Sequence, residues 1–491
     1  MPTTFNQLLS SNGQETAMTT TADIISAMPR DADELVPEVD DKKLREMYEK
    51  ISKRKIPTGA IRRLGIIGTL HAKMGLAAAA YAFRKWIHPI EQRDKIRAEA
   101  YLSVAIQMLD TMSHLRGAIM KVGQMTANFP DIIPDEFTET LSQLHFQAPP
   151  MHFSLVREQI ENELGGEVET RFAEFNSKAI AAASLGQVHQ ATLDSGRHVA
   201  VKIQYPGIAR SIRSDLRNMS ALMTPVSIGK HWKNMREQID ELKEVLSKET
   251  DYELEADNLR RARSLFSEDD QITIPAVHDQ LSSRRVLTMN WVEGSNFEEF
   301  LATNPSQETR NHFARLLILA HSRLYYQQRS LYADPHPGNL LFGEDGQLGM
   351  IDFGCIRTFN DEEWSYLREA DRVMDHGREG AIEHMRRGME LTDKDMANTE
   401  LVDSIADWCD WVWYPNVTNE EYDFGNADSL REGIDAFKQI SKYRPKSKPE
   451  NLFLLRWTYA QRALLYRLKA KVNVFEIIQS ERRAAGWQHR A

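Results

Sequence analysis

The stretch LYADPHPGNLLF (residues 331–342) carries an aspartate and an asparagine, Asp334 and Asn339, in a turn-rich loop between two apolar segments. The stretch MIDFGC (350–355) follows shortly, with Asp352 directly after another apolar segment. Because Mg²⁺ prefers hard oxygen ligands and takes one or two carboxylates together with phosphates and water, Asp352 and Asn339 are candidate metal ligands. Asp334 lies on the same loop, where it could face an attacking hydroxyl or water as a base or a positioning group. The pattern predicts phosphoryl transfer of the kind that kinase-like enzymes perform.

A lysine lies upstream inside a predicted strand. Lys202 stands in VAVKIQ (199–204), with apolar residues on both sides. A charge that leaves water needs a partner, so we expect its ammonium group to reach an anion, either a phosphate or a carboxylate. The stretch ETDYELEADNLR offers several carboxylates: Glu249, Asp251, Glu253 and Glu255. A surface lysine on an edge strand is the alternative.

Just before this strand, AIAAASLGQVH (179–189) is predicted to form a turn of very small residues between two strands. Small side chains allow backbone N–H groups to approach phosphate oxygens closely, and an alanine-rich turn that only packs is the alternative. The candidate phosphate contacts are Ala181, Ala182, Ala183 and Ser184. We also expect nucleotide contacts from Met289 and Trp291 in the predicted strand 284–292.

Composition indicates a globular protein with one acidic arm. The 491-residue chain is 42% hydrophobic and 27% charged, with a net charge of −10. Residues 1–41 hold eight acidic side chains against Arg30 alone, so we expect this arm to be disordered or loosely attached. The remainder is nearly neutral, which gives no electrostatic reason to expect a nucleic acid as partner. Two cysteines, Cys355 and Cys409, indicate a reducing compartment, and we expect a cytoplasmic protein.

The sequence predicts no membrane-spanning helix, because no apolar run reaches the length of a span, and its start does not predict a secretory signal. The best membrane candidate is residues 64–86, which follow basic residues at 53–55 and 62–63. This segment is either a helix of small residues packed on its own domain or an interfacial helix. In the second case, residues 53–86 would contact anionic lipid at the inner membrane surface.

The hydrophobic period changes along the chain and outlines the secondary structure. Helices are predicted at 91–128 and 153–164, a hairpin around the turn at 194–196, a charged helix at about 233–266, strands at 272–277 and 284–292, and mainly helix from about 296. The aromatic stretch 407–416 predicts core packing, with a lipid or quinone groove as the alternative. We expect Cys355 to be a buried thiol rather than a reactive one.

Further motifs extend this pattern in a fixed order. KVGQ (121–124) matches a KxGQ motif, ETD (249–251) matches an ExD motif, and the alanine-rich stretch stands where ordinary protein kinases have a glycine-rich loop. ADPHPGN and DFG match a catalytic and a metal loop. Over about residues 100–360, the chain therefore resembles the UbiB/AarF family of atypical, protein-kinase-like proteins, which includes the coenzyme Q-associated kinase-like proteins of mitochondria.

The resemblance implies a role for each acidic group. Glu255, rather than Glu249, would pair with Lys202. Glu249 and Asp251 would instead lie near Lys121 and Gln124 at the mouth of the active site. Because residues three apart on a helix share a face, Lys121 and Gln124 could together hold the N-terminal extension over the cleft as a lid.

We therefore predict an α+β, two-lobed protein-kinase-like fold with a helical N-terminal extension over the active site. The predicted parts are an acidic arm at 1–41, the extension with its KxGQ motif at 42–150, an N-lobe at 151–294 and a mainly helical C-lobe at 295–491.

The resemblance also implies ATP and Mg²⁺ as cofactors, with Asp334, Lys202 and Glu255 as catalytic residues. It implies an ATPase or a small-molecule or lipid kinase that supports isoprenoid-quinone or lipid metabolism, with a lipid or quinone precursor as partner. One alternative is a protein kinase, against which the KxGQ helix counts. The other is a nucleotide-gated binding module without turnover, against which Asp334 counts. The sequence does not indicate the phosphate acceptor.

Overall fold

The computed structural model describes residues 151–183, 185–210, 212, 248–443 and 449–487. The acidic arm, the predicted extension with Lys121 and Gln124, and the membrane candidate 53–86 lie outside the described residues. So do Ser184 and most of the first half of the charged helix predicted at 233–266.

The first part of the described chain is a small antiparallel sheet with a helix on one face. Its elements are α1 (Phe153–Leu164), α2 (Val168–Arg171), β1 (Glu174–Phe175), β2 (Ala181–Ala183), β3 (Gly186–Thr192), β4 (His198–Gln204), α3 (Tyr252–Arg263), β5 (Ile272–Thr273) and β6 (Val286–Asn290). Strands β1, β3, β4 and β6 are neighbours in that order, and β2 pairs with β3. The turn between β3 and β4 contains Gly196 with φ of 77°, so the predicted hairpin is confirmed.

The alternation of side chains along β4 gives the sheet two different faces. Val199, Val201 and Ile203 are fully buried in an apolar cluster with Val156 and Ile160 of α1. The residues between them face the other way, and Lys202 is paired in register with Leu287 of β6. Lys202 therefore points away from α1.

The alanine-rich stretch differs from its predicted form. Ala181–Ala183 form β2, which pairs with β3 in a register that sets Ala183 opposite Gly186, so the prediction of a turn at these alanines is wrong. Only two residues connect the strands. A Cβ atom at Gly186 would lie 2.1 Å from the carbonyl oxygen of Ile203, so this hairpin packs against β4 more closely than any other residue type would allow.

The charged helix predicted at about 233–266 is interrupted in its described part: Lys248 is helical, and after a turn at 249–250 a second helix, α3, begins at Tyr252. The side chain of Asp251 accepts a hydrogen bond from the backbone N–H of Glu253 and caps the helix, which runs from Tyr252 to Arg263. Asp251 also forms an ion pair with Arg284, at 3.0 Å. The second acidic residue of the ExD motif thus has a structural role in starting this helix.

The second part of the described chain is mainly helical, as predicted. Its elements are α4 (Phe297–Ala302), α5 (Gln307–Gln328), β7 (Ser330–Tyr332), β8 (Leu340–Phe342), β9 (Leu348–Met350), β10 (Ile356–Thr358), α6 (Asp361–Gly388), α7 (Asp393–Met396), α8 (Thr399–Val417), β11 (Tyr422–Asp423), α9 (Ala427–Lys442), α10 (Pro449–Arg467), β12 (Lys471–Val472) and α11 (Val474–Ala484). Strand β5 pairs in parallel with β9, which pairs with β8, so one small sheet crosses the predicted lobe boundary at 294.

The aromatic stretch 407–416 packs into the helical part. Trp411 is 6% exposed and lies so close to α9 that a Cβ atom at Gly433 would overlap its ring. Tyr414 is exposed. Among the described residues, no helix combines the length and the apolar character that crossing a membrane requires.

Candidate active site

Lys202 lies at the centre of a buried group of charges. Its Nζ atom donates to both carboxylate oxygens of Glu255, at 2.8 and 2.9 Å, and to Oδ2 of Asp352, at 2.8 Å. The lysine is 6% exposed. Burial alone would lower the pKa of Lys202, but the attraction of Asp352 and Glu255 outweighs it and raises the pKa above its ordinary value. The lysine is therefore held charged inside the protein, and the alternative of a surface lysine is wrong.

Glu255 reaches this lysine from α3, and it is 2% exposed. Burial raises the pKa of Glu255 to about 7, against the opposing attraction of Lys202. Its carboxylate also accepts from the backbone N–H of Phe353, at 3.4 Å. Helix α3 is thereby connected both to β4 and to the loop that carries Asp352.

Asp352 lies in the loop between β9 and β10. Its side chain is 31% exposed, although Lys202 and Glu255 beside it are buried. Its second oxygen, Oδ1, accepts from the backbone N–H of Gly354, at 3.0 Å. A Cβ atom at Gly354 would approach Asp352 and Glu255 at 3.3 and 3.5 Å, so a larger residue there would crowd both carboxylates.

The loop of Asp334 and Asn339 is fixed by short-range hydrogen bonds. The carbonyl oxygen of Asp334 accepts from the backbone N–H of His336, at 2.7 Å, and from Nδ2 of Asn339, at 3.2 Å. The Nδ1 atom of His336 accepts from the backbone N–H of Gly338, which is a turn-shaping role for this histidine. The carbonyl oxygen of Asn339 accepts from the backbone N–H of Ile351, at 3.1 Å. The sheet therefore brings Asn339 next to the residue that precedes Asp352.

The side chain that contacts Asp334 comes from a distant part of the sequence. Arg456 of α10 donates to Oδ1 of Asp334 through Nη2, at 2.6 Å, and its side chain is 5% exposed. Burial would lower the pKa of Arg456, but the attraction of Asp334 outweighs it and raises the pKa. Sequence analysis did not find Arg456, because an arginine in a helical segment 122 residues away carries no local signal.

Glu249 is a buried acidic residue of the ExD motif. It is 7% exposed, and it contributes, after Asp334 and Cys355, to the attraction that raises the pKa of Arg456. Glu249 therefore lies on the side of the cleft where α10 enters. Its expected contact with Lys121 and Gln124 involves residues outside the described part of the chain and stays a prediction.

Of the expected nucleotide contacts, Met289 lies on the face of the sheet that carries Lys202. Ala200 and Met289 are paired in register, and both lie an even number of positions from the pair Lys202 and Leu287. Met289 is 4% exposed, and Trp291 continues β6 by donating its backbone N–H to His198. Strand β2 lies at the end of the same sheet, while Ser184 lies outside the described residues.

The donor set at Asn339 and Asp352 fits a hard divalent cation that is completed by phosphate and water oxygens. Asp352 supplies a partly exposed carboxylate, and Asn339 supplies an amide oxygen from a loop that the sheet holds beside it. The described part of the chain contains no cluster of three or more His, Cys, Asp or Glu side chains that could hold a metal ion. Asp352 and Asn339 are therefore the residues that would hold such a metal.

Comparisons with known proteins identify the kind of domain that the chain contains. The model of the ABC1 atypical kinase-like domain matches residues 143–384. The chain is 30% identical over 380 residues to Protein ACTIVITY OF BC1 COMPLEX KINASE 1, chloroplastic, of Arabidopsis thaliana, covering 76% of this chain and 54% of that one. It is 28% identical over 421 residues to Atypical kinase COQ8B, mitochondrial, of Rattus norvegicus, covering 84% and 78%.

A solved structure is also similar. The Rv3197 protein of Mycobacterium tuberculosis, in its complex with erythromycin, superposes with a TM-score of 0.53 at 26% identity, covering 78% of this chain and 97% of that one. The chain spans about half the length of the Arabidopsis relative. Together with the family model, this likeness confirms the predicted α+β kinase-like fold.

Proposed function

The chain belongs to the UbiB/AarF family of atypical kinase-like proteins, and on that premise we propose that it binds Mg-ATP in the cleft beside Lys202. We further propose that it hydrolyses ATP or transfers the terminal phosphoryl group to a small-molecule or lipid acceptor.

The observation that carries this proposal is the arrangement around Lys202. The lysine is clamped by Glu255 and Asp352 at 2.8 Å each, and of these carboxylates only that of Asp352 is substantially exposed. A buried lysine between a fixed and an accessible carboxylate can exchange the accessible partner for a phosphate oxygen without being left unpaired. This is the ground-state binding that a kinase-like site requires.

Two residues would hold the metal. Asp352 and Asn339 would each supply an oxygen, and bound Mg²⁺ would neutralise charge on the transferring phosphate. Asp352 would hold the metal through its partly exposed carboxylate, while the buried Glu255 would continue to pair with Lys202. Glu255 would thus be a charge partner of Lys202 both with and without a bound metal.

Asp334 would orient the attacking oxygen. Arg456 donates to Oδ1 of its carboxylate at 2.6 Å, and this contact would fix the direction in which the carboxylate faces a hydroxyl or a water. A positioned acceptor contributes mainly in the transition state, because it acts on the reacting oxygen as its bond to phosphorus forms.

The acceptor class is inferred from the family. The resemblance to coenzyme Q-associated kinase-like proteins favours a lipid or an isoprenoid-quinone precursor over a protein substrate. Peripheral contact with a membrane through residues 53–86 would bring such an acceptor to the cleft.

A nucleotide-gated binding module without turnover is the second candidate, and the ion pair at Asp334 favours it. A guanidinium that engages the carboxylate weakens its ability to accept a proton. In this alternative, ATP would change the position of α3 and the metal loop, but no phosphoryl group would be transferred.

Phosphate release by the purified full-length chain separates these candidates. We expect release from Mg-ATP above that of an Asp334→Asn variant, with stimulation by vesicles that contain anionic phospholipid and ubiquinone. Nucleotide binding without release above the variant would support the gated module instead. Efficient phosphorylation of casein or myelin basic protein by the wild type would support a protein kinase.

A further inference from the structure

The backbone of the metal loop is held by side chains from both parts of the protein. The hydroxyl of Tyr332, on β7, donates to the carbonyl oxygen of Asp352 at 2.8 Å. The Nδ2 atom of Asn258, on α3, donates to the carbonyl oxygen of Phe353 at 3.0 Å. Two successive carbonyl groups are therefore fixed, one from each side of the cleft.

Helix α3 holds Phe353 at both ends of its backbone. Glu255 accepts from its N–H at 3.4 Å, and Asn258 donates to its carbonyl oxygen. Glu255 and Asn258 are three residues apart and therefore share a face of α3. Together they satisfy the N–H and the carbonyl group of Phe353, as a neighbouring β-strand would do. The Phe353 ring is 1% exposed and packs edge to face on Tyr332, with ring centroids 5.4 Å apart.

These contacts do not depend on the side chain of Asp352. The contact with Lys202 would compete with metal binding for the carboxylate of Asp352, whereas the contacts of Asn258 and Tyr332 with the backbone would not. The carbonyl group of Phe353 and the N–H of Gly354 belong to one rigid peptide, and that N–H donates to Oδ1 of Asp352 at 3.0 Å. Fixing the Phe353 carbonyl therefore also fixes the donor that holds the Asp352 carboxylate.

We propose that Asn258 is a positioning residue which, with Tyr332, orients Asp352 toward the metal and makes that orientation depend on the docking of α3. The inference rests on the proposed Mg-ATP function, and it adds a second connection between α3 and the metal loop beside the hydrogen bond from the Phe353 N–H to Glu255. Displacement of α3 would remove the Asn258 contact together with both contacts of Glu255.

The test compares Asn258→Leu, which keeps the size of the side chain but removes its donor, with the neighbouring control Asp257→Asn. Asp257 is exposed and pairs with Arg260 on the same helix, so its substitution changes α3 without touching the loop. Because one hydrogen bond is lost, we expect amide exchange at residues 351–355 to be about three- to tenfold faster in Asn258→Leu. We expect exchange there to be unchanged in Asp257→Asn.

The second readout is the Mg²⁺ concentration that half-saturates ATP binding. We expect it to rise about three- to tenfold in Asn258→Leu, with metal-free ATP binding unchanged. Tyr332→Phe removes a hydroxyl that also contacts the side chain of Asn339, so amide exchange at residues 351–355 is the deciding readout for this variant. Asn258→Ala takes the place of Asn258→Leu if the latter does not fold.

A purely structural role would lower the melting temperature and speed exchange throughout α3 while leaving the Mg²⁺ requirement unchanged, and this result would overturn the inference. Unchanged exchange at 351–355 in both folded variants would also overturn it. If the wild type binds no nucleotide, the proposed function fails, and the exchange comparison alone then decides whether Asn258 and Tyr332 fix the loop.

Discussion

Two buried cations, Lys202 in the cleft and Arg462 in the helical part, are stabilised in opposite ways. Lys202 is held by two carboxylates and also lies 5.1 Å from the ring centre of Tyr252. Arg462 is 7% exposed and donates through Nη2 to the carbonyl oxygen of Trp411. Three rings surround it, with centroids at 4.6 Å for Trp411 and 5.2 Å for both Tyr422 and Phe424.

The charges around the two cations explain the difference. In the described part of the chain, no carboxylate forms an ion pair with Arg462, and burial lowers the pKa of its guanidinium. The carboxylates near Lys202 raise the pKa of its ammonium group. The rings around Arg462 hold the cation by packing on it and cannot be replaced by a phosphate oxygen. The partly exposed carboxylate of Asp352 can be replaced in that way at Lys202. We therefore propose a binding role for Lys202 and a structural role for Arg462, and the following experiments test that distinction.

The largest expected effect is on turnover. Asp334→Asn removes the acceptor for the attacking hydroxyl, and we expect kcat for phosphate release to fall by about 100-fold or more while ATP affinity is retained. Arg462→Met, in the structural region, should leave kcat within about twofold. Steady-state phosphate release and equilibrium ATP binding measure the two effects. A parallel loss of ATP affinity in Asp334→Asn would mean that Asp334 acts in the ground state.

The second test compares the stability cost of removing each cation. Lys202→Met leaves Glu255 and Asp352 close together without a counter-charge, so we expect about 3 kcal/mol of destabilisation at pH 8. Arg462→Met leaves no orphaned carboxylate, because the rings and one carbonyl remain, and should cost about 1 kcal/mol. Urea unfolding of both variants provides the values. Equal losses would remove the distinction between the two regions.

The third test concerns the exchangeable partner of Lys202. At Mg-ATP about 100 times its dissociation constant, binding should stabilise the wild type by about 2.7 kcal/mol, which a thermal shift can measure. Asp352→Asn should lose the Mg²⁺-dependent part of this shift, whereas Arg462→Met should retain it. An identical Mg²⁺-dependent shift in Asp352→Asn and the wild type would show that Asp352 does not bind the metal.

The smallest expected effect is on the pH dependence of stability. The pKa of Glu255 is about 7 in the folded protein, above its ordinary value, so the folded state holds this proton more tightly than the unfolded chain. Its contribution is therefore fully present below the unfolded pKa and is lost as the pH rises through about 7. From about pH 5 to pH 8 the wild type should lose on the order of 1–2 kcal/mol that Glu255→Gln does not lose. Matching pH profiles would show that Lys202 keeps Glu255 ionised throughout.

Local sequence patterns predicted much of the cleft. Lys202 in the middle of an apolar strand required an anionic partner, and the order of Lys202, Asp334, Asn339 and Asp352 indicated one site. The hairpin at 194–196 and the helix at 153–164 followed from turn residues and from the spacing of apolar residues, and both are present. Such predictions succeed because alternation, helical spacing and turn chemistry act over a few residues.

Other features could not be read in this way. The alanines at 181–183 were predicted as a turn because small residues are permissive, but pairing with β3 makes them a strand. Several acidic residues lie near the start of α3, and only the structure shows that Asp251 caps this helix.

The sequence by itself determined which residue types could bind a nucleotide and a metal, and it placed them in the order of a kinase-like chain. Only the tertiary structure decided their partners: Arg456 on Asp334, Asn258 on the Phe353 carbonyl, and an aromatic cage rather than a carboxylate around Arg462. A buried polar group must find a partner wherever packing brings one within about 3 Å. Sequence order does not encode that distance between residues that are a hundred positions apart.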